Sequence, residues 1–424
     1  MNDLLALVAD GKVMGEVRRD RRGRLTLAYD PGWRTMPGAW PLSLSMPLVV
    51  AEHEHGRIEP WLRGLLPGSE ATLERWGRQF HASPRDAFAL LAAVGEDCAG
   101  AVQLVPPGRV PAILDGKPMT VDWLTRAGMA ERLRTLRKDH SAARQARDAG
   151  RFSLAGTQAK TALFFNGQHW GVPSGRTPTT HILKLPMDGL DGHAQNEHLC
   201  LSLARALGLP VARSQVLTFE DQVAIVLERY DRVRDGSSIR RLHQEDLGQA
   251  LGRAPARQDG NGAGAKPARM LDVIRVHSGE PQQDAWTFAR ALMLNWLIDG
   301  SDASAKNFAI LIGAGGRARL APLHNMASTL PWPDAGKRPP VTPDGVVYAF
   351  EEVGTRHWSK FAAEARLPAA QVLDAGRDMA ARIPDALQQV VAQARIEGVN
   401  HPVVARLVEL LSARAERCAR LLAG

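Results

Sequence analysis

The stretch Asp302-Ala-Ser-Ala-Lys-Asn307 is followed at once by an apolar run, Phe308–Ile312, with the length and composition of a buried strand. The segment Gly313-Ala-Gly-Gly316 then predicts a tight turn, and Arg319–Leu323 predicts a second strand that ends at His324-Asn325. Because a hairpin returns the chain to the point where it began, we expect Asn325 to lie close to the Asp302–Asn307 loop.

An aspartate followed five residues later by an asparagine, ahead of such a hairpin, matches the layout of a protein-kinase catalytic loop. In that chemistry Asp302 accepts the proton of the attacking hydroxyl, while Asn307 and Asn325 hold Mg²⁺ against the phosphates. The alternative interpretation is a plain turn, in which Asp302 caps the turn and Asn307 satisfies the loop backbone.

A candidate phosphate-covering loop lies upstream, where Ser153-Leu-Ala-Gly-Thr-Gln-Ala-Lys160 stands directly before a predicted strand. Small residues in such a loop let backbone amides approach phosphate oxygens. With Gly156 as its one glycine, the alternative is an ordinary turn, because a single glycine between two strands is usually only a turn.

A lysine among apolar neighbours follows, at Lys184 in the strand pattern His181–Pro186. Its burial would be costly unless the ammonium group meets an anion, and a nucleotide phosphate would serve. The alternative is an edge-strand lysine whose ammonium group reaches solvent. Glu197, on the predicted helix Ala194–Leu207, is either an ion-pair partner for Lys184 or a solvated helix carboxylate.

A hinge is predicted at Glu228–Tyr230, where a strand ends and two lobes should join. There, backbone groups would recognise the edge of an adenine base. Along the chain the features follow the order of a kinase: loop, strand lysine, helix glutamate, hinge, Asp-to-Asn loop, hairpin and metal position. This order, more than any single motif, predicts phosphoryl transfer.

The element pattern predicts an α+β, two-lobed, protein-kinase-like fold with an N-terminal α/β subdomain and a mainly helical C-terminal lobe. We expect an N-terminal α/β subdomain over 1–110, an exposed helical connection over 111–151, a strand-rich nucleotide-binding lobe over 152–235 and a helical catalytic lobe over 236–424. Helices are predicted over Ser69–Phe80, Ser83–Val94, Gln283–Ile298 and Pro402–Leu422, and a mobile loop over Arg253–Ala268.

The composition of the 424 residues is that of an ordinary globular chain, with 45% hydrophobic and 23% charged residues. No apolar run is long enough to span a membrane and no secretory leader is recognisable, so we expect a cytoplasmic protein. Three scattered cysteines fit neither a disulfide framework nor a CxxC metal site. The formal charge of +8 is compatible with an acidic partner such as nucleic acid, although dispersed charge is usually only solvated surface.

Several phrases resemble the HipA-type toxin kinases of bacterial type II toxin-antitoxin systems, in the order of that family and over nearly the whole chain. They are Pro41-Leu-Ser-Leu-Ser-Met-Pro47, Gly64-Leu-Leu-Pro67, Phe152–Leu163, Pro178–Pro186, Glu228-Arg-Tyr-Asp-Arg232, Gln244-Glu-Asp246 and Asp302–Asn307. The resemblance implies a two-lobed kinase-like fold, use of ATP and Mg²⁺, and growth arrest through phosphorylation of a serine in an aminoacyl-tRNA synthetase, with the glutamyl type as first guess. It also implies a dimeric helix-turn-helix antitoxin of the HipB type that binds the toxin and, through operator DNA, represses their operon.

Residue roles follow from the same resemblance. Asp302 resembles the catalytic base, and Ser153 the autophosphorylated serine whose modification ejects its loop and stops the kinase. Asn307 and Asn325 occupy the metal positions. The nucleotide-binding set comprises Ala155, Gly156, Thr157, Gln158, Ala159, Lys160, Lys184, Glu228, Arg229, Tyr230, Ser304, Ala305, Lys306, Asn307, His324 and Asn325.

Three positions depart from the family pattern: Ala159 stands where a glutamate is expected, Ser304 where histidine is usual, and Asn325 where the family has aspartate. The exchange at Asn325 removes a negative charge from the Mg²⁺ site and predicts weak or absent phosphoryl transfer.

The leading hypothesis is therefore an ATP-dependent protein serine/threonine kinase that acts as a toxin. The alternative is a catalytically silent, nucleotide-binding corepressor that acts with a DNA-binding antitoxin, for which Asn325 and the basic charge are the observations. A small-molecule phosphotransferase would share the machinery but needs a deep acceptor pocket.

Overall fold

The structure is a computed structural model that describes residues 3–115, 120–145, 148, 151–236, 238–253, 265–300, 302–333 and 352–423. Helix accounts for 44% and strand for 23%, which confirms the α+β class. No described helix is long and apolar enough to cross a membrane. The predicted loop Arg253–Ala268 falls largely outside the described residues.

The helices and strands have the following bounds. The α-helices are α1 Pro31–Thr35, α2 His55–Gly64, α3 Glu70–Phe80, α4 Ala87–Val94, α5 Val110–Leu114, α6 Arg126–Lys138, α7 His193–Ala206, α8 Leu247–Ala250, α9 Pro267–His277, α10 Pro281–Leu297, α11 Thr355–Glu364, α12 Ala369–Ile396 and α13 Pro402–Ala423. The strands are β1 Leu4–Ala9, β2 Lys12–Arg19, β3 Leu25–Tyr29, β4 Glu52–Glu54, β5 Gln103–Val105, β6 Thr120–Leu124, β7 Lys160–Phe165, β8 Trp170–Ser174, β9 His181–Lys184, β10 Ser214–Phe219, β11 Gln222–Glu228, β12 Arg232–Asp235, β13 Ser238–Arg241, β14 His243–Asp246, β15 Ala309–Ile312 and β16 Ala318–Leu320.

The chain divides into two compact units. The first comprises Met1–Leu185, Leu217–Pro255 and Ile310–Ala318, and the second comprises Pro186–Val216, Ala256–Ala309 and Arg319–Gly424. The four segments predicted from the sequence remain predictions.

The first unit begins with an antiparallel sheet in the order β4-β3-β2-β1-β5. Its strand β3 alternates buried and half-buried residues, as a strand with one covered face does. At Gly15 a Cβ would come within 2.5 Å of the Ala28 carbonyl oxygen, so β2 and β3 pair this closely only because the residue is glycine.

A six-stranded sheet in the order β10-β11-β9-β7-β8-β6 follows, and all of it except the first three residues of β10 belongs to the same unit. Helix α6 packs on it and buries Met129, Leu133 and Leu136 against Leu163 and Leu183. The prediction of an exposed helical connection was therefore wrong for this helix. The many charged residues of this helix indicated exposure, but its apolar residues recur at the three- and four-residue spacing of a helix that packs on one face.

Two further predictions need correction in the first unit. Helix α4 begins at Ala87 rather than near Ser83, because the carboxylate of Asp86 accepts a hydrogen bond from the Ala89 N–H and caps the helix. The segment 236–424, predicted to be a helical lobe, does not begin with a helix, since β13 pairs with β12 in a hairpin and β14 joins a sheet in the order β14-β15-β16.

The second unit is helical and is built around α7, α10, α12 and α13, as the apolar stripes of α10 and α13 predicted. Trp296 of α10 and Trp358 of α11 pack edge to face, with ring centroids 5.7 Å apart, and Trp358 also contacts Phe361. These aromatic contacts pack the end of α10, which precedes the Asp302 loop in the chain.

Candidate functional site

A small pocket in the second unit brings together the residues that the sequence placed in a catalytic loop. Its lining consists of Ala291, Asn295, Asp302, Ala303, Asn307, Phe308, Leu323, His324, Asn325 and Met326. The side chain of Asp302 is exposed, whereas Ala303 and Phe308 on either side of the loop are buried. The loop is thus anchored by apolar residues and presents one carboxylate to solvent.

The loop itself is a short 3₁₀ turn over Ala305–Asn307 that starts after Ser304. The Asn307 N–H donates to the Ser304 carbonyl oxygen at 2.9 Å, and the Asn307 side chain donates through Nδ2 to the Asp302 carbonyl oxygen at 2.8 Å. Asn307 therefore does satisfy a loop backbone group, as the turn interpretation held. Ala305 is buried and Lys306 is half-buried, so both lie in the turn beside Asn307.

The chain after β16 supplies the other part of the pocket lining, from Leu323 to Met326. Leu323, just after β16, forms a parallel bridge with Val211; its carbonyl oxygen accepts from the Ala212 N–H at 2.8 Å, and its own N–H donates to the Pro210 carbonyl oxygen at 2.9 Å. His324 is half-buried and donates through Nδ1 to the Pro322 carbonyl oxygen at 3.3 Å.

Asn325 has a left-handed backbone, with φ of +59°. Asparagine tolerates this conformation better than most residues. Its side chain meets Asn307, and the hydrogen bonds fix how the two amides face each other. Asn307 Nδ2 donates to the Asp302 carbonyl oxygen, so Asn307 Oδ1 faces Asn325. Asn325 Nδ2 donates to Asn307 Oδ1 at 3.1 Å.

Mg²⁺ was expected between these two amides. It is a hard cation that prefers carboxylate oxygens, but here a neutral amide turns an N–H donor toward the neighbouring oxygen. No group of three or more His, Cys, Asp or Glu side chains within the described ranges could hold a metal ion. Residues 307 and 325, as they are arranged, therefore do not fit a tightly held Mg²⁺.

The phosphate-loop segment belongs to the first unit and is docked there by backbone pairing. Gly156 has φ of +95°, forms a parallel bridge with Pro67, and accepts from the Gly68 N–H at 3.1 Å. Ser153 is 1% exposed, and its hydroxyl donates to the Leu65 carbonyl oxygen at 2.7 Å. The hydroxyl predicted to be the autophosphorylation site is therefore buried in this arrangement.

The remaining loop residues face different ways. Thr157 is exposed, Gln158 donates through Nε2 to the Leu185 carbonyl oxygen at 2.8 Å, and Ala159 lies in the core that α6 covers. The side chain of Ala159 cannot face a nucleotide from there, so only its backbone could contribute. Ala155 offers its carbonyl oxygen to Lys160 Nζ at 2.5 Å.

Two lysines are paired across neighbouring strands. Lys160 of β7 stands directly opposite Lys184 of β9, so the two side chains leave the same face of the sheet. Lys184 is 7% exposed, and β9 lies between β7 and β11. The interpretation of Lys184 as an edge-strand lysine was therefore wrong. Like charges in register repel each other, and an anion placed between them would relieve the repulsion.

The helix glutamate and the hinge have mixed outcomes. Glu197 is 1% exposed in the second unit, which excludes a solvated carboxylate; its pairing with Lys184 of the first unit stays a prediction. At the predicted hinge, Glu228 is exposed at the end of β11, and the Arg229 N–H donates to the Thr180 carbonyl oxygen at 2.9 Å. That N–H is thus already used within the protein.

The side chains of Arg229 and Tyr230 also have partners within the protein. The Tyr230 hydroxyl donates to Gln244 Oε1. Arg229 is buried in an ion-pair cluster that the sequence analysis missed, with Asp97 and Asp231 as its acids and Arg232 and Arg241 as further bases. The motif Glu228–Arg232 was the only signal for this cluster, and nothing near Asp97 in the sequence indicated it.

The fold and the site are consistent with what comparison with known proteins finds. A family model described as the HipA-like C-terminal domain matches residues 152–387, more than half of the chain, and the HipA N-terminal domain model matches residues 5–105. The chain belongs to the HipA family.

Relatives within the HipA family cover most of the chain. Y4mE of Sinorhizobium fredii, a candidate kinase by name, is 32% identical over 361 residues, which are 84% of each chain. The serine/threonine-protein kinase toxin HipA of Shewanella oneidensis is 28% identical over 304 residues, which are 68% of this chain and 66% of that protein.

A solved structure confirms the HipA fold over almost the entire length. It is the HipA, HipB and operator DNA complex of the Shewanella oneidensis toxin-antitoxin system. One chain of it aligns with a TM-score of 0.83 at 23% identity, over 99% of this chain and 98% of that one. The family resemblance inferred from the motifs is thus confirmed, and the roles of individual residues remain predictions.

Proposed function

We propose that this HipA-family chain is an ATP-dependent protein serine/threonine kinase of a toxin-antitoxin module, with a low transfer rate. The observation that carries the proposal is the pocket in which exposed Asp302 stands beside the linked amides of Asn307 and Asn325. The names of the relatives as kinases support it at the level of reaction class.

Asp302 is assigned the proton transfer. One of its carboxylate oxygens takes the proton of the acceptor hydroxyl as that hydroxyl oxygen bonds to the γ-phosphorus, while the bond from phosphorus to the ADP oxygen breaks. Its exposure suits this role, because a protein substrate has to reach it. ATP, when bound, supplies the phosphoryl group, and Lys160 and Lys184 compensate phosphate charge from the face of the sheet that they share.

Ser153 is proposed as the autophosphorylation site. Its N–H donates to the Asp97 carbonyl oxygen at 3.1 Å and its hydroxyl donates to the Leu65 carbonyl oxygen, so the segment has to leave its place before the hydroxyl can react. A phosphoryl group of about −1.5 to −2 charge could not return to so buried a position without new partners. Modification would therefore hold the segment out and end transfer.

The proposed protein partners are an aminoacyl-tRNA synthetase, with the glutamyl type as first guess, and a HipB-like helix-turn-helix antitoxin that brings the chain to operator DNA. The Shewanella oneidensis complex of HipA, HipB and operator DNA supports the second partner. Phosphorylation of the synthetase in the cytoplasm would arrest growth and favour persistence.

A second candidate is a catalytically silent, nucleotide-binding corepressor that acts with a DNA-binding antitoxin. The hydrogen bond from Asn325 Nδ2 to Asn307 Oδ1 favours it, because it closes the metal position with neutral groups. Such a protein would keep the lysine pair and the phosphate-loop segment but transfer no phosphate.

Radiolabelled ATP, the purified chain and a panel of aminoacyl-tRNA synthetases test the two candidates. Slow labelling of one synthetase, lost in Asp302→Ala and faster in Asn325→Asp, would support the kinase. Nucleotide binding without labelling of any protein, even in Asn325→Asp, would support the corepressor instead.

A further inference from the structure

Asp299 has an unusual backbone for its position, two residues after the end of α10 and three before Asp302. Its φ is +56°, in the left-handed region that non-glycine residues seldom adopt. The next residue, Gly300, makes two hydrogen bonds with Asn295, both at 2.8 Å. The Gly300 N–H donates to the Asn295 carbonyl oxygen, and the Gly300 carbonyl oxygen accepts from Asn295 Nδ2. A backbone of this kind persists where its surroundings hold it.

Thr329 supplies one of the groups that hold Asp299. The Thr329 N–H donates to the Asp299 carbonyl oxygen at 3.1 Å, and the Thr329 hydroxyl lies 2.6 Å from Asp299 Oδ2 and 3.0 Å from the Asp299 carbonyl oxygen. Thr329 is four residues beyond Asn325. These bonds therefore join the segment that carries Asn325 to the segment that carries Asp302.

Arg414 of α13 fixes Asp299 from a third element. Its Nη2 lies 3.6 Å from Asp299 Oδ1 and donates to the Trp296 carbonyl oxygen at 3.0 Å. Only 4% of the Arg414 side chain and 17% of the Asp299 side chain are exposed. A partly desolvated pair of this kind is screened less by water than a surface pair is, so it holds the carboxylate in place.

The residue before Thr329 is held separately. Ser328 is 2% exposed; its carbonyl oxygen accepts from Asn196 Nδ2 at 2.7 Å, and its N–H donates to Asn196 Oδ1 at 3.2 Å. Asn196 thus fastens this segment to α7, and Asp299 fastens it to the loop. These hydrogen bonds from Asn196 and from Asp299 restrict the distance between Asn325 and Asp302.

We propose that Asp299 is a positioning residue that sets the Asp302 loop against the Asn325 segment through its bonds to Thr329. The inference rests on the proposed function in that Asp302 and Asn325 form the reacting site. Asp299 itself touches neither substrate nor nucleotide in this assignment.

Two variants of the full-length chain test the hydrogen bonds between Thr329 and Asp299. Thr329→Val removes the hydroxyl with little change in side-chain shape, and Thr329→Ser keeps a hydroxyl at the same position. We expect Thr329→Val to speed hydrogen exchange in peptides that cover 302–307 by roughly 10-fold, as the loop opens more often. In the Asn325→Asp background we expect kcat to fall roughly 10-fold, or ~1.4 kcal/mol, with little change in KM for ATP. Thr329→Ser should return both quantities to the parent values.

Asp378→Asn on α12 is the matched control, since it removes a carboxylate from a surface pair with Arg382; it should change neither measurement. Unchanged exchange at 302–307 in Thr329→Val, or a Thr329→Ser protein that behaves like Thr329→Val, would overturn the inference. Absence of transfer in the parent would count against the proposed function instead, while the exchange data would still decide the role of Asp299.

Discussion

Each of the two units contains a group of polar side chains around an aspartate, and the two groups differ in burial and in charge pairing. In the first unit, Asp97 and Asp231 are surrounded by arginines and hydrogen-bond donors and are almost wholly buried. In the second, Asp302 is exposed and its neighbours Asn307 and Asn325 are neutral. Charged side chains that stabilise a fold are buried and ion-paired, whereas a charged side chain that must contact a substrate stays exposed to solvent.

The pKa values in the first group show how strongly the arginines stabilise the ionised form of Asp97. Burial alone would raise the pKa of Asp97, but Arg232, Arg229 and Arg241 outweigh it and hold the pKa at about 2. Burial also lowers the pKa of Arg241 to about 10, despite the attraction of Asp97. The arginines thus keep Asp97 ionised, and it accepts hydrogen bonds from both the N–H and the hydroxyl of Thr179.

The largest expected effect comes from breaking this cluster. Asp97→Ala should lower the free energy of unfolding by roughly 3–5 kcal/mol, because Arg241 would lose its acid and Arg229 and Arg232 would have to share Asp231 in a buried setting. Urea denaturation followed by circular dichroism measures this loss. Adding Arg232→Met should recover part of it, since one of the three buried cations that would face the single acid Asp231 is then removed. A loss below about 1 kcal/mol would mean that the cluster is solvated.

The contribution of Asp97 to the free energy of unfolding should depend on pH. Because the pKa of Asp97 is lower in the folded chain than its ordinary value of 3.8, its contribution to stability is complete above that value and disappears as the pH falls through about 2. Asp97→Ala should therefore differ from the parent most at neutral pH and least at pH 2.

Asp302→Ala tests the other half of the comparison. We expect transfer to fall by ~10³-fold, about 4 kcal/mol of barrier, because proton acceptance is lost. The unfolding free energy should change by less than about 0.5 kcal/mol, since the side chain is exposed. Rates from radiolabelled ATP and a thermal melt of the same preparation give both numbers. A folded, fully active variant would remove Asp302 from the reaction.

Asn325→Asp should raise the transfer rate by about 100-fold, or 2.7 kcal/mol, by placing a carboxylate at the metal position. A carboxylate at position 325 could no longer donate to Asn307 Oδ1, so a cation would be needed between the two oxygens. The gain should therefore depend on Mg²⁺ concentration, which a titration of the rate reports. Equal rates in the two proteins would mean that other groups hold the metal.

Lys184→Ala should give the smallest effect of this series, a loss of roughly 10-fold in ATP affinity. Lys160 stands opposite it and would retain part of the attraction for phosphate. Calorimetric titration with ATP measures the change, and Lys138→Ala, at the exposed end of α6, controls for loss of one positive charge. Unchanged affinity would assign Lys184 a purely structural role.

Local sequence was enough for the elements that depend on local spacing. The strands β7 to β11, the helices α7, α10 and α13, and the β15–β16 hairpin follow from apolar periodicity and from turn residues such as Gly313 and Gly316. Strand β6 was not expected, because it lies in the segment 111–151 that was predicted to be a helical connection. The hairpin also allowed the proximity of Asn307 and Asn325 to be predicted, because a tight turn fixes which residues meet.

Tertiary structure decided what depends on residues far apart in the chain. Asp97 meets Arg232 across 135 positions and Asn196 meets Ser328 across 132 positions, and no local pattern indicates either contact. The burial of Ser153 and of the apolar stripe of α6 likewise depends on which surfaces cover them. Periodicity is a property of neighbouring residues, whereas burial and ion pairing are set by the packing of whole elements, so the sequence alone specified the candidate catalytic loop but not what holds it in place.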